Sequence, residues 1–445
     1  MAEFKRPKND REFEINFSPI NKLMNKTEAL LESSRCLFCY DAPCTKACPT
    51  HIDIPLFIRQ INSGNVKGAA KTIYASNYMG NLCGKVCPVE VLCEGSCVYV
   101  NQGVRAIEIG RLQNFATNKV ISEKIEIFTE GEKVNKKVAI IGGGPAGISC
   151  ASELRSAGIN ADIYEGRKMA TGLALHGIAP YKIANEDVLE ELNYIQRQFN
   201  FNIFYNRYIK SKDEIAKLEK EYDFIFLGIG NSNTSALNIP GEDKKNVFGA
   251  VEIVEELRLK KSNAVYGNKV IVFGGGNTAM DAASESARMG AEKVTLAYRR
   301  SRKDMGAYEF EYDLAKSVGV KAYFNIAPVE ILGDDKVTGV RFIKTETKGG
   351  KLKTIKGSEF TEECDMVIKA TGQSRHFELY QNIDNLEVDD FGKIVVDKNF
   401  RTTNPKYYAA GDAVNGGKEV VNSVAEGKQA AKSMITILLN IKKRN

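Results

Sequence analysis

Short apolar runs separated by polar turns recur after about residue 131, and they predict strands that alternate with helices. The run VAII at 138–141 is the first, and similar runs follow at 161–164 and 224–227. A second series begins with VIVF at 270–273. Strands that alternate with helices along a chain form parallel, doubly wound sheets. The sequence therefore predicts an α/β fold with two such sheets in this part of the chain.

The first 130 residues have a different pattern, in which helical stretches such as 54–76 alternate with turns marked by Gly and Pro. This segment holds eight of the ten cysteines, between Cys36 and Cys97. The N-terminus lacks the apolar run of a signal peptide, and no window approaches ~18 uninterrupted apolar residues, so no membrane span is predicted. We therefore expect a cytoplasmic protein, in which a cysteine cluster indicates metal ligation rather than disulfides.

The overall composition narrows the functional classes. The 445 residues are 43% hydrophobic and 27% charged, with a formal net charge of +6. This composition is typical of a soluble chain with several cores. No stretch resembles a basic recognition stripe, so nucleic-acid binding is not indicated. The basic tail Lys442-Lys443-Arg444 is interpreted as a solvated terminus.

The turn after the first predicted strand carries a dinucleotide-binding motif. Its residues are Gly142, Gly144, Pro145, Ala146 and Gly147, and Glu165 ends the next strand. The glycines let the backbone approach a pyrophosphate at the helix N-terminus, and the carboxylate holds the ribose hydroxyls. A lone GxGxxG is weak evidence, so the prediction depends on the strand, the helix and the acidic residue around it. The alternative is a tight strand–helix turn without a ligand.

The same element occurs again, since VIVFGGGNTA at 270–279 repeats VAIIGGGPAG at 138–147. The residues of this second turn are Gly274, Gly276, Asn277, Thr278 and Ala279. The following strand ends in Arg299 and Arg300, where an NAD site has an acidic residue. Cationic side chains there suit a 2′-phosphate, so we predict NADP(H) rather than NAD(H). The alternative is an exposed basic loop without a ligand.

Two later segments complete a recognisable order of motifs. Ala370-Thr371-Gly372 follows an apolar run, and Gly411-Asp412 precedes a helix that we expect at 422–439. Four motifs in this order resemble the flavoproteins with two dinucleotide-binding domains, in which an NAD(P) domain is inserted within an FAD domain. The resemblance implies that Gly411 and Asp412 hold the ribityl and phosphate region of FAD, and that Gly372 marks the return from the insertion. The expected domains are an α-helical iron–sulfur domain at 1–130, an FAD domain at 131–245 and 366–445, and an NAD(P) domain at 246–365.

The cysteine spacing points to iron–sulfur clusters. The cysteines are Cys36, Cys39, Cys44, Cys48, Cys83, Cys87, Cys93 and Cys97, and proline follows the fourth and the sixth. Such runs with Cys-Pro ends are typical of [4Fe–4S] ligation. Two structural zinc sites are the alternative, although zinc offers no redox chemistry beside a flavin. We predict two [4Fe–4S] clusters and interpret Cys150 and Cys364 as ordinary packing or surface residues.

Three segments around these cysteines resemble a known family. They are SRCLFCYDAPCTKACPTHIDIPLFI, NYMGNLCGKVCPVEVLCEGSC and IGRLQNFAT. They look like the N-terminal half of dihydropyrimidine dehydrogenase and the separate bacterial subunit that feeds electrons to that enzyme, and the small subunit of glutamate synthase shares the plan. The resemblance covers essentially the whole chain. It implies one cluster on Cys36, Cys39, Cys44 and Cys97, and another on Cys48, Cys87, Cys93 and Gln113.

The same resemblance implies further FAD contacts at Gly172, Leu173 and Lys182. The chain departs from the family pattern at several positions. Thr171 stands where the family has Gly, Ala179 precedes the expected Pro, and Lys182 replaces a frequent Arg. Gly306 replaces the proline of a Met-Pro pair. The Gln113 motif favours the dihydropyrimidine dehydrogenase branch.

The predicted chemistry belongs to the cofactors, so no catalytic acid, base or nucleophile is assigned. Hydride from NAD(P)H enters at FAD, and electrons leave singly through the clusters. No eight-fold βα pattern remains for an FMN barrel. The family resemblance therefore implies a hetero-oligomer with an FMN-containing catalytic subunit that reduces uracil or thymine. One alternative is the small subunit of glutamate synthase or another ferredoxin-coupled NAD(P)H oxidoreductase. Another is a non-catalytic binding protein with a degenerate flavin fold.

Overall fold

A computed structural model describes residues 4–441, so the basic tail 442–444 lies outside the described residues. The chain forms two compact units. The described residues of the smaller unit are 4–19, 176–181 and 232–374, and the larger unit comprises 20–175, 182–231 and 375–441. No helix within 4–441 is long and apolar enough to span a bilayer.

The elements are numbered in chain order. The helices are α1 Asp10–Asn16, α2 Lys26–Ser34, α3 Pro43–Ala47, α4 Ile54–Asn62, α5 Val66–Ser76, α6 Gly80–Val86, α7 Ile109–Ser122, α8 Pro145–Ser156, α9 Leu173–His176, α10 Asn185–Phe199, α11 Lys212–Glu221, α12 Ala250–Lys260, α13 Asn277–Arg288, α14 Glu309–Ser317, α15 Phe377–Tyr380, α16 Asp412–Asn415 and α17 Val420–Leu438. The strands are β1 Lys137–Ile141, β2 Asn160–Tyr164, β3 Asn202–Phe204, β4 Phe224–Leu227, β5 Val247–Gly249, β6 Lys269–Phe273, β7 Lys293–Tyr298, β8 Lys321–Phe324, β9 Ile326–Leu332, β10 Gly339–Lys348, β11 Lys351–Thr354, β12 Phe360–Glu363, β13 Met366–Lys369 and β14 Tyr407–Ala409.

The cysteine-bearing part of the larger unit consists of the helices α2 to α7. Helix α2 begins at a capping box. The Asn25 side chain accepts hydrogen bonds from backbone N–H groups of the first turn, and the Glu28 side chain accepts one from the Asn25 N–H. The stretch 54–76 forms two helices instead of the single expected one. Gly64 takes a left-handed φ of +82° between them, and the Asn65 side chain caps α5.

The larger unit also contains a parallel sheet with strand order β14-β4-β1-β2-β3. Strand β4 is buried along its whole length and β1 along most of it, because helices cover a parallel sheet on both faces. Helix α17 begins close to the predicted start and packs along α8. The doubly wound fold predicted from the apolar runs is confirmed.

The smaller unit holds a second parallel sheet, β5-β13-β6-β7-β8. The chain between 326 and 363 does not continue the strand–helix alternation but forms an antiparallel sheet, β9 to β12. Strand β13 at 366–369 pairs with β5 and β6. The return from the inserted segment therefore lies after residue 374 rather than at 366, the boundary expected from the sequence.

The N-terminal arm belongs to the smaller unit, although the sequence boundaries placed it with the cysteines. Phe13 of α1 and Phe17, which directly follows α1, stack with ring centroids 4.4 Å apart inside that unit's core. The Asn16 side-chain amide donates to the Arg288 carbonyl at 2.7 Å. The burial of these two rings and the long-range hydrogen bond stabilise the arm in the smaller unit, although the arm is closer in sequence to the cysteine segment. The assignment of FAD and NAD(P) domains to these units stays a prediction.

Candidate functional site

The turn between β1 and α8 has a shape that requires glycine. Gly142 has a φ of +100°, and a Cβ on Gly147 would lie 2.1 Å from the Gly142 carbonyl oxygen. At Gly144 the nearest atoms to such a Cβ would be 3.9 Å away. The turn is therefore closed at its ends and open at its middle glycine. That opening, at the N-terminus of α8, fits a phosphate.

Glu165 is held directly beside this turn. It is buried, and its carboxylate accepts the Gly143 N–H at 2.9 Å and the Arg167 N–H at 2.7 Å. These two bonds fix the side chain at the carboxyl end of β2. The carboxylate thus occupies the place that ribose recognition requires in a dinucleotide fold.

Two further predicted segments converge on the first turn of α8. The Cα of Gly172 is one of the atoms nearest to the open position at Gly144. Gly411 has a φ of +74°, and a Cβ there would lie 3.2 Å from that of Ala146. The Gly411 N–H donates to Glu426 at 2.9 Å. The structure therefore brings together residues from distant parts of the sequence.

Asp412 follows Gly411 at the start of α16. Burial raises the pKa of its carboxyl to about 6, a backbone hydrogen bond from Lys418 opposes this, and the nearby charge of Glu426 adds to the increase. The Lys418 N–H lies 3.4 Å from the carboxylate. A weakly satisfied acid beside the turn fits a sugar or ribityl hydroxyl, which would supply a stronger donor.

Two of the predicted FAD contacts lie at the edge of this arrangement. Leu173 begins α9 directly after Gly172 and is half-buried. Lys182 is also half-buried and directly follows residues 176–181, which pack in the smaller unit.

The second turn, between β6 and α13, repeats the first. Gly274 has a φ of +149°, and a Cβ there would lie 2.5 Å from the Ala370 carbonyl oxygen. The Ala370 N–H donates to Phe273 at 2.7 Å, so the predicted segment around Gly372 runs beside the turn. Gly276 has open space where a side chain would be. This turn also fits a phosphate, within the smaller unit.

The loop after β7 returns to this turn. The Tyr308 N–H donates to the Asn277 side chain at 3.0 Å, and the Ala307 N–H donates to the Gly275 carbonyl at 2.9 Å. Thr278 is exposed and Ala279 is buried. The loop that carries the arginines is therefore fastened to the turn at its far end.

Arg299 and Arg300 are exposed at the end of β7, and neither has an ion-pair partner within residues 4–441. Arg302 differs from them, because it pairs with Glu309 and lies over the Tyr312 ring at 5.1 Å. Two uncompensated guanidinium groups at this position fit the 2′-phosphate of NADP(H).

Four of the predicted cluster ligands surround one pocket. Its wall includes Cys36, Cys39, Cys44 and Cys97, together with apolar side chains such as Ile54 and Ile58. Burial raises the pKa of Cys44 to about 12, and the neighbouring thiols add to the increase. No three Cys, His, Asp or Glu side chains within the described part of the chain are close enough to share a single metal ion. The four thiols instead face a common space, which fits a multinuclear cluster.

The second predicted ligand set consists of Cys48, Cys87, Cys93 and Gln113. Cys87 lies near Cys48 and Cys93, and its pKa is raised well above the ordinary value by a hydrogen bond to Cys83, by burial and by the other thiols. Gln113 on α7 is buried, and its Nε2 donates to the Gly80 carbonyl at 2.7 Å. Cys83 is hydrogen-bonded to Cys87, although the family resemblance does not include Cys83 among the cluster ligands. It is a competitor of Gln113 for the fourth position.

The cysteine region and the first dinucleotide turn share a helix. Val421 lies within the hydrophobic core formed around the cysteines, and Val420 packs against it. Both residues open α17, which follows closely after Gly411-Asp412 and packs along α8. The cysteine region and the first turn are thus connected through α17 within the larger unit.

Two residues that the sequence analysis did not assign lie in this region. Thr171 has a left-handed φ of +83°, and its buried hydroxyl has no hydrogen-bond partner in the described chain. Glu191 on α10 is completely buried against α6. No local sequence motif distinguishes the buried Glu191 carboxylate from its exposed neighbours on α10.

Comparison with known families gives two matches. Residues 136–427 match the model described as pyridine nucleotide-disulphide oxidoreductase. Residues 13–125 match the model described as dihydropyrimidine dehydrogenase domain II, 4Fe-4S cluster. The first match covers more than half of the chain.

Curated relatives match over nearly the whole length. The small chain of NADPH glutamate synthase from Escherichia coli K12 is 32% identical, over 95% of this chain and 94% of that protein. The PreT subunit of NAD-dependent dihydropyrimidine dehydrogenase from the same organism is 33% identical, over 91% and 93%. Among solved structures, Mycobacterium tuberculosis FprA in complex with NADPH has a TM-score of 0.57 at 19% identity, over 68% of this chain and 85% of that one. That last likeness concerns the fold alone.

Proposed function

The chain belongs to the pyridine nucleotide-disulphide oxidoreductase family, and from that premise we propose that it is the electron-input subunit of a dihydropyrimidine dehydrogenase. It is an NAD(P)H-dependent flavoprotein oxidoreductase with an iron–sulfur domain at its N-terminus. The observation that carries the proposal is the packing of Val420 and Val421, next to the Gly411-Asp412 turn, against the cysteine core. Electron transfer needs the two cofactors close together, and this contact supports that.

FAD would be held by the first turn. The open Gly144 position and the α8 N-terminus would take the pyrophosphate, Glu165 the ribose, and Asp412 the ribityl chain. When bound, FAD accepts hydride from NAD(P)H and can release the electrons singly to iron–sulfur clusters. The protein's part is to bind and orient, and no side chain is assigned as a catalytic acid or base.

Two [4Fe–4S] clusters would occupy the cysteine region. The pocket lined by Cys36, Cys39, Cys44 and Cys97 supports one of them. The other would take Cys48, Cys87, Cys93 and Gln113. The thiols must lose their protons on binding, and because burial raises their pKa, assembly should be favoured at higher pH.

NADP(H) would bind the second turn, with Arg299 and Arg300 contacting the 2′-phosphate. Both side chains are exposed and uncompensated by any acid among residues 4–441, which favours NADP(H) over NAD(H). The nicotinamide would then deliver hydride to the flavin.

The final acceptor would be an FMN-containing catalytic subunit that reduces uracil or thymine, in a cytoplasmic hetero-oligomer. The PreT relatives are named as subunits of NAD-dependent dihydropyrimidine dehydrogenase. The observation that supports this branch is Gln113, which is present, buried and hydrogen-bonded to the Gly80 carbonyl at the start of α6.

A second candidate function is the small subunit of glutamate synthase. The 32% identity to that chain in Escherichia coli, over 95% of this chain, favours it. Co-purification with a large glutamine-hydrolysing chain would select this candidate, and co-purification with an FMN protein that reduces pyrimidines would select the first.

Anaerobic purification and titration test the proposal. The purified chain should show flavin and iron–sulfur absorbance, contain about eight iron atoms for two clusters, and reduce artificial acceptors with NAD(P)H. Uracil should be consumed only after the partner is added. Turnover of uracil by the lone chain, or zinc in place of iron at the thiols, would refute the proposal.

A further inference from the structure

Glu191 connects the dinucleotide-binding part of the larger unit to the helix beside the second cysteine set. It lies on α10 with no exposed surface. One carboxylate oxygen accepts the Tyr74 hydroxyl at 2.8 Å and the Asn81 N–H at 2.6 Å. The other accepts the Leu82 N–H at 2.8 Å. The carboxylate therefore satisfies two N–H groups in the first turn of α6, those of Asn81 and Leu82.

That same first turn of α6 holds the helix α7. The Gly80 carbonyl accepts the Gln113 side-chain amide at 2.7 Å. The Asn81 side-chain oxygen accepts Asn114 at 2.6 Å and Thr117 at 3.1 Å. The last turn of α6 leads directly into Cys87, whose N–H donates to Cys83 at 3.1 Å. One helical turn thus determines where Gln113 lies and where the chain enters the Cys87-Pro88 bend.

We infer that Glu191 is a positioning residue, which holds the first turn of α6 and through it sets Gln113 and Cys87 for the second cluster. This inference rests on the proposed ligand set for that cluster. Glu191 touches none of those ligands and acts through the backbone of Gly80, Asn81 and Leu82. Because α10 belongs to the dinucleotide-binding part, the same contact also fixes the position of the cluster ligands relative to the flavin site.

The chemistry of the contact supports a specific role. A fully buried carboxylate is costly unless it is hydrogen-bonded, and here three donors converge on it. Lys85 on α6 pairs with Asp187 on α10 at 2.7 Å and adds a second link between the same two helices. Burial raises the pKa of Glu191 to about 7, while the hydrogen bonds and Lys85 act against the increase. An apolar residue would pack there without that cost but would leave two N–H groups of α6 buried and unpaired.

The test uses Glu191→Gln, which keeps the volume but replaces one acceptor oxygen with a donor amide. Glu190→Gln is the matched control, since Glu190 is the exposed neighbour on the same helix. Glu153→Gln is a second control. Glu153 accepts the Tyr78 hydroxyl at 2.7 Å, so it also links α8 to the cysteine region, but without touching α6. Glu191→Asp, with the charge retained on a shorter side chain, covers the case in which the glutamine variant does not fold.

The readouts are the electron paramagnetic resonance spectra of the two reduced clusters and the rate at which they are reduced after flavin bleaching by NAD(P)H. In Glu191→Gln the signal of one cluster should shift and its reduction should slow by about 2- to 30-fold, the range expected when a coupling network loses about 0.5–2 kcal/mol. The signal of the other cluster, the flavin content and the bleaching step should not change. Glu191→Asp should lie between wild type and the glutamine variant.

Two results would overturn the inference. One is an unchanged spectrum and rate in both Glu191 variants. The other is an equal change in both clusters, or the same change in Glu153→Gln, which would indicate general loosening rather than positioning through α6. If instead the wild-type chain carried no iron, the proposed function would fail first, before any variant is compared.

Discussion

The two glycine-rich turns are formed by contiguous residues, whereas the pocket in the cysteine region is formed by residues that are distant in the sequence. Each turn is a contiguous segment between a strand and a helix, and its shape follows from a few glycines. The pocket of Cys36, Cys39, Cys44 and Cys97 draws its thiols from both ends of the cysteine segment. Its shape therefore depends on how the helices α2 to α7 pack. A turn can be recognised and damaged locally, whereas the cysteine pocket needs the surrounding core.

The two turns also differ from each other, although their sequences repeat. The first is followed by Glu165, which is buried and bonded to the turn, and the second by Arg299 and Arg300, which are exposed and unpaired in the described structure. The same backbone thus presents an acid in one case and cations in the other. Under the proposed function, the residues that end the second strand of each pair, rather than the glycines, would distinguish the two ligands.

The largest effect should come from closing the first turn. In Gly147→Ala a new Cβ would lie 2.1 Å from the Gly142 carbonyl oxygen, so the backbone must move. We expect a loss of about 3 kcal/mol in the free energy of unfolding, as for severe overpacking, and loss of bound flavin. Thermal unfolding and the ratio of flavin to protein measure both. The control is Ala279→Gly at the matched position of the second turn, which should cost at most about 1 kcal/mol. Flavin retained at the wild-type ratio in Gly147→Ala would contradict the assignment of FAD to this turn.

Next in size is the loss of one cluster. Cys97→Ser removes a thiol that lines the pocket and should lower the iron content by about half, because one of two clusters cannot assemble. Cys150→Ser is the control, since Cys150 is also buried but lies in α8. Iron analysis on anaerobically prepared protein gives the measurement, and equal iron loss in both variants would show that any buried thiol matters.

The fourth ligand of the second cluster is tested in the same way. Cys87→Ser should lose iron and Cys83→Ser should not, even though the two thiols are hydrogen-bonded. Gln113→Leu should behave like Cys87→Ser. If Cys83→Ser loses iron and Gln113→Leu keeps it, the ligand set taken from the family resemblance is wrong at this position.

The sequence predicted the turns well because their constraints are local. Gly142, Gly147 and Gly274 lie where the motif placed them, and their close contacts explain why no larger residue fits. The boundaries were harder, because α1 joins the smaller unit through the rings of Phe13 and Phe17, a tertiary contact without a sequence signal.

The cysteine region shows the limit most clearly. Spacing alone could not distinguish Cys83 from Gln113, since the sequence does not report that Cys83 is hydrogen-bonded to Cys87 or that Gln113 on α7 is hydrogen-bonded to Gly80 of α6. Glu191 was not found for the same reason. Its burial results from the packing of α10 against α6, which the amphipathic pattern of either helix leaves undetermined.

The dependence of the cysteine region on an outside residue predicts a pH effect. Folding raises the pKa of Glu191 from 4.5 to about 7, so the folded chain holds a proton more tightly than the unfolded one. Stability should then fall as the pH rises from about 4.5 to 7, by about 3 kcal/mol at most. The charged and titratable groups facing it are Tyr74, Lys85 and Asp187. Urea unfolding between pH 5 and 8 should show this slope in wild type and a smaller one in Glu191→Gln. An identical slope in both would remove Glu191 as its source.

The smallest expected effect concerns the arginines that distinguish the second turn from the first. Replacing both Arg299 and Arg300 with Ala should raise the KM for NADPH by about tenfold or more, because a hydrogen bond to a charged group is worth about 1.5–3 kcal/mol. The KM for NADH should stay the same, since NADH has no 2′-phosphate. Arg302→Ala serves as the control, because Arg302 is already paired with Glu309, and it should leave the ratio of the two KM values unchanged. Steady-state assays with an artificial acceptor suffice, since the step measured precedes any partner. If the double variant raised the KM for NADPH and NADH equally, the arginines would contact the pyrophosphate or stabilise the loop instead of binding the 2′-phosphate. The difference between the two turns would then not lie in how each recognises the ribose.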